Sequence, residues 1–120
     1  MRVAVSALGT TLDDRVDERF GRAAYILMVD PETLEFEAVD NQANRNAMQG
    51  AGLGTAEAVA SRGVEAVITG HLGPKAFKAL SVAGVSGYGA TGMIVRDAVK
   101  AFGEGRLESL GEGEAHAGLS

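Results

Sequence analysis

The stretch TGHLGPKAF, Thr69–Phe77, sets Gly70 and Gly73 around His71, then a proline and a lysine, immediately after the apolar run VEAVIT. Two arginines flank Phe20 and Gly21 in RFGR, and Arg45 stands in a polar stretch. Cationic groups of this kind, beside glycines that expose the main chain at strand–helix junctions, describe an anion site. Unpaired amides at a helix start point at the ligand, and the helix dipole favours negative charge there. The candidate contacts are Arg19, Arg22, Arg45, His71 and Lys75, with amides near Gly52, Gly73 and Gly92. Each residue also has a purely structural use. A glycine at such a junction serves turn geometry, a lone histidine is commonly structural, and RFGR fits a turn with a buried Phe and two solvated arginines.

Other chemistries find less support. Asp13, Asp14, Asp17 and Glu18 are four acids in six positions, but they lack the alternating oxygen ligands of a calcium loop and read as a solvated acidic loop. Neither GxGxxG nor GxxxxGK[ST] occurs. The two histidines, His71 and His116, give no readable Ser–His–Asp set. With no cysteine in the chain, disulfides and thiolate ligation of zinc or iron–sulfur clusters are excluded.

Elements must position these groups. RVAVSAL (Arg2–Leu8) and AYILMVD (Ala24–Asp30) read as strands, the latter apolar enough to be covered on both faces. After a PET turn, LEFEAVD alternates Leu34, Phe36 and Ala38 with Glu35 and Glu37, which predicts an antiparallel hairpin. Residues 9–22 and 41–50 read as loops. Leu53, Ala56, Val59 and Ala60 mark a helix over Gly52–Arg62, ended by Gly63. The strand Val64–Thr69 leads to a helix opened by Pro74 and closed by Gly84. VSGY is a short strand, and Thr91 is the expected cap of a last helix carrying Val95, Ala98, Val99 and Phe102. This order predicts a three-layer α/β/α domain with a mixed five-stranded sheet over residues 1–103. Its ligand site belongs beyond the carboxyl ends of the parallel strands. Residues 104–120, with Glu104, Glu108, Glu112 and Glu114 against Arg106, read as a flexible acidic Gly/Glu-rich tail.

The 120 residues suit one domain, and 46% hydrophobic with 22% charged residues is ordinary for a globular protein. No membrane-length apolar run or secretory signal is read, which favours the cytoplasm. The net charge of −5 argues against nucleic acid and anionic membranes as partners; without the tail, twelve acids and ten bases leave −2.

The blocks DERFGRAAYILMVDPETLEFEAVDN, QGAG at Gln49–Gly52, VEAVITGHLGPKAFKALSVAGV and VRDAVKAFGEGRLESL together resemble the NifX/NifB-C-terminal family of dinitrogenase iron–molybdenum cofactor biosynthesis proteins over about residues 1–110. Within it the chain is most similar to the small orange-protein branch, which carries a molybdenum–copper sulfide cluster. The resemblance implies a ribonuclease-H-like fold and binding rather than turnover. The implied guest is an anionic molybdenum-containing metal–sulfide cluster (Mo–Cu or Fe–Mo type), held non-covalently, or its oxyanion precursor. Partner proteins in cluster assembly or delivery are implied too. The chain departs from many relatives in having Arg19 where they have His, and NQANRNAMQGAG, with Met48 as its one soft donor, in place of a His- and Gly-rich loop. Hydrogen bonding and charge, rather than protein–metal bonds, are therefore expected to hold the guest. Nuclease chemistry does not follow from the fold, because RVAVSAL carries no acid and Asp30 and Asp40 are too few for a two-metal site. Two other readings stand beside this one: a protein-interaction module without a cluster, and an enzyme acting on a small phosphorylated ligand.

Overall fold

The structure is a computed structural model and describes residues 1–111. The residues 112–120 of the acidic tail, including His116, lie outside the described residues. Six strands and four helices follow the order β1 (Val3–Ala7), β2 (Tyr25–Val29), β3 (Phe36–Asp40), α1 (Gln42–Arg45), α2 (Ala51–Ala60), β4 (Ala66–Thr69), α3 (Pro74–Val82), β5 (Ser86–Gly89), α4 (Val95–Gly103) and β6 (Glu108–Ser109).

The strands form one mixed sheet in the order β3-β2-β1-β4-β5-β6. The hairpin is antiparallel as its alternation predicts, with Val29 opposite Phe36 and Tyr25 opposite Asp40. β1, β4 and β5 are parallel neighbours. The sheet has six strands, not five. Glu108 and Ser109 pair antiparallel with Gly89 and Tyr88, so the sheet continues past the expected end of the domain at residue 103.

Period two splits the strands between two cores. Ala4, Ile26, Met28 and Val67 face α2 and α3, where Ala56, Val59, Ala76 and Leu80 meet them. Val3, Val5, Leu27, Val29 and Ile68 face α4 through Val95, Ala98 and Val99. The result is three layers. β1, buried on both faces, is the centre that aligns the ends of its neighbours. No helix is long and apolar enough to cross a membrane among the described residues.

Three local expectations change. Asn41–Gly50 is not all loop: α1 forms there, with the Asp40 carboxylate accepting from the Gln42 amide at 2.7 Å. Leu53 points outward, whereas Ala51 and Thr55 face the core. The last helix starts at Val95 with Ile94 as its N-cap, so Thr91 is not the cap. The loop 8–16 docks on that helix start: the Val95 amide donates to the Asp14 carbonyl and the Arg96 amide to the Leu12 carbonyl, both at 2.8 Å. The acidic run is also not wholly solvated, since Asp17 is only 3% exposed.

The turn between β2 and β3 carries a pH-sensitive contact. The amides of Glu32 and Thr33 donate to the Asp30 carboxylate and hold its pKa below the ordinary 3.8. A depressed carboxyl stabilises the fold above its unfolded pKa, and that stability is lost as pH falls through the lower folded value. Asp30→Asn is therefore expected to flatten the acid-side fall in stability below about pH 4, checked by urea midpoints along a pH series.

Candidate functional site

The site begins where β4 ends. Gly70–Gly73 carries the chain from Thr69 to α3, and RFGR runs beside it, with Arg19 and His71 in a parallel bridge. Two glycines make this possible. A Cβ on Gly70 would lie 2.7 Å from the Glu18 Cα, and one on Gly21 would lie 2.5 Å from the Gly52 nitrogen. Side chains there would push the loop off both neighbours. Phe20 is buried in the same core as Leu72 and Ala76 and fixes the loop from below.

Three pieces, the loop 18–22, the start of α2 at 50–53 and the segment 71–76, enclose an open hollow of about 630 Å³. Both helices begin there. Gly50 takes the left-handed conformation (φ 75°) and Gly73 an extended one (φ −68°, ψ 164°), and neither helix start has a side-chain cap. Their first amides have no intrahelical acceptor, and a helix start carries partial positive charge, so both helices bring that charge to the lining of the hollow. Pro74 has no N–H, so α3 offers the amides of Lys75 and Ala76.

Of the residues singled out from sequence, Arg19, Arg22, Gly52, His71, Gly73 and Lys75 line this hollow together. Arg45 and Gly92 do not. Arg45 supplies a carbonyl: the Arg22 Nη1 donates to the Arg45 and Ala47 oxygens, each at 2.6 Å, and staples the α1–α2 connection to RFGR. Gly92 faces a second hollow of about 300 Å³ with Leu8, Arg15 and Arg19. The amides of α4 that were expected near Gly92 are taken by the loop carbonyls described above.

The cations are not equivalent. The Arg19 Nε and Nη2 donate to the buried Asp17 carboxylate at 3.3 and 3.4 Å, so its charge is largely matched. Asp17 also accepts from the Arg19 amide at 2.9 Å, while its own carbonyl accepts from Ser6 Oγ at 2.7 Å. Arg22 and Lys75 have no carboxylate partner among the described residues. Glu18 lines the same hollow and works against an anion. Sequence reasoning did not single out Glu18, Gly21 or Ala51 as part of it; the signal for Gly21 was its place between the two arginines.

Among the described residues, no group of three or more His, Cys, Asp or Glu could hold a metal ion.

The hollow lies above the carboxyl ends of the parallel strands, the place where open α/β sheets that take ligands hold them. The chain belongs to the dinitrogenase iron–molybdenum cofactor family, which it matches over residues 1–105. Its fold is similar to that of the apo form of the orange protein from Desulfovibrio gigas (TM-score 0.86, 43% identity, 90% of this chain and 91% of that one). It is also similar to a putative NifB protein from Thermotoga (TM-score 0.78, 38% identity, 91% and 92%). An uncharacterized protein of Methanocaldococcus jannaschii is 32% identical over 114 residues, covering 92% of this chain and 96% of that protein.

Proposed function

We propose that this protein binds and carries, as cargo, an anionic molybdenum-containing metal–sulfide cluster or its oxyanion precursor, and does not turn it over. The observation that carries the reading is the meeting of two uncapped helix starts with Arg22, Lys75 and His71 around one hollow. An anionic cluster brings its own sulfides. What it needs from a protein is hydrogen-bond donors and positive potential, and the amides of Ala51, Gly52, Lys75 and Ala76 are the donors. Lys75 and Arg22 supply charge, Arg19 less because of Asp17. The family match and the likeness to the orange protein support this reading of the site. The mixed sheet with its antiparallel β2 fits the ribonuclease-H-like scaffold that goes with it. The reading places the protein in the cytoplasm, with partner proteins that load or unload the hollow.

Tetrathiomolybdate supplied with copper should colour the protein, and the colour should stay with it through gel filtration. Lys75→Ala is expected to weaken retention about tenfold, the loss of one charge-assisted contact, and added salt should weaken it further. Protein that elutes colourless at every ratio overturns the reading.

A further inference from the structure

Helix α2 is almost without polar residues: in Ala51–Ala60 only Thr55 and Glu57 are polar, and Thr55 is buried. A helix apolar on all sides belongs in an interior, yet α2 lies on the surface. Its neighbour α3 has the same imbalance at its far end, where Val82 is 83% exposed, and Leu53 in the first turn of α2 is 37% exposed. Between them Ala56, Ala60, Ala79 and Ala83 floor an open furrow of about 570 Å³. Alanines at i, i+4 spacing on both walls let a third helix approach closely and seat its ridge between them. The rim carries Lys75 and Lys78 on the α3 side, and neither has a carboxylate partner among the described residues.

We infer that this furrow docks an acidic amphipathic helix of a partner protein. The occupant presents an apolar stripe at i, i+3, i+4 and i+7 to the alanine floor and carboxylates to Lys75 and Lys78. A second copy of this chain fits less well, because a two-fold contact presents the same patch twice and offers those lysines only Glu57. The furrow and the hollow described above share Leu53 and Lys75, so the docked helix ends at the mouth of the hollow. A partner held there stands where a guest enters or leaves. The inference goes beyond the cargo reading and survives its failure.

The probe is a labelled helical peptide of about 18 residues, five turns, with a Leu/Ala stripe flanked by glutamates; its counterpart carries lysines in place of the glutamates. Binding is followed by anisotropy, and amide chemical shifts locate it on the full chain. The acidic peptide should perturb the amides of Leu53, Ala56, Ala60, Ala79 and Val82. Val82→Asp, at an exposed site, should weaken it about tenfold, one apolar anchor's worth. Lys78→Glu should weaken it similarly and improve the lysine peptide. Both variants should still take up tetrathiomolybdate and copper if the wild type does. Equal binding of the two peptides, perturbations elsewhere, or no effect of Val82→Asp overturns the proposal. So does a concentration-dependent dimer dispersed by Val82→Asp, which assigns the furrow to a second copy. Furrow shifts in a Glu112→Gln, Glu114→Gln double variant without peptide overturn it too, because they assign the furrow to the chain's own acidic segment.

Discussion

Replacing Gly73 with aspartate is expected to stabilise the fold and abolish anion binding together. Gly73 is the N-cap of α3, its backbone is already in the extended region a capping aspartate prefers, and a Cβ there meets nothing within 4 Å. The new carboxylate would accept from the Lys75 or Ala76 amide, the donors assigned above to the guest. Stability should rise by a few tenths of a kcal/mol from the cap and by about 0.3–1 kcal/mol from the helix dipole. Affinity for tetrathiomolybdate with copper should fall by about a hundredfold or more, since a unit negative charge a few ångströms from the guest opposes it by several kcal/mol near a protein surface. Gly73→Ser separates the two causes: it caps without charge and should lose about tenfold, one hydrogen bond to a charged group. Thermal melts and titrations on the same samples give opposite signs for the aspartate variant. Unchanged binding by Gly73→Asp would show that the α3 amides do not hold the guest.

The largest loss of stability among single methyl additions is expected at Gly21. An added Cβ would sit 2.5 Å from the Gly52 nitrogen, 2.6 Å from its Cα and 2.8 Å from the Ala51 carbonyl carbon. All three are backbone atoms of a helix start packed on the core, so no side chain can swing aside. The loop must move instead, which draws on the Phe20 packing and the Arg22 staple. Overpacking of this kind costs about 1–3 kcal/mol, read as a shift of the urea midpoint without change of slope. Uptake of the coloured cluster should fall with it, because the loop forms one wall of the hollow. Gly52→Ala is the control. Its Cβ would meet only the Ala76 side chain at 3.5 Å, an ordinary contact, and within the helix alanine is the better residue. A Gly21→Ala protein as stable as the wild type would remove the case that RFGR is clamped.

These two glycines show what a sequence can and cannot disclose. Gly73 is legible as a position: an apolar run, then Gly, then Pro, marks a strand end and a helix start. Gly21 is not, because its neighbour Gly52 lies 31 residues away and the close approach exists only once both helix and loop are in place. The same division runs through the fold. Strands and long helices whose side chains alternate or recur appear where periodicity predicts them, but not every face follows: in β3 Phe36 and Ala38 are exposed while Val39 packs on the core, and Leu53 of α2 points outward. Short elements held by long-range partners carry no such pattern. β6 is two polar residues and exists because β5 offers an edge, with the Leu110 amide donating to the Gly87 carbonyl. α1 rests on Asn41, whose side chain donates to the Ala23 carbonyl and accepts from Thr55 and Asn44. Gly92 and Thr91 misled for a related reason. A glycine before an amphipathic run implies a helix start open to solvent, but the loop from Leu12 to Asp14 closes that start from a distant part of the chain.

β5 reads SGYG, with only one large side chain between its glycines. A strand so bare would leave a flat, unprotected margin, the kind onto which a foreign strand can add itself. The polar pair Glu108–Ser109 covers part of that margin, and Leu110 seals it by resting against Gly87 and Gly89. The C-terminal end of the described chain thus occupies part of the edge on which a foreign strand could add itself. Its own outward edge is short and bears a glutamate, which discourages the next strand from joining.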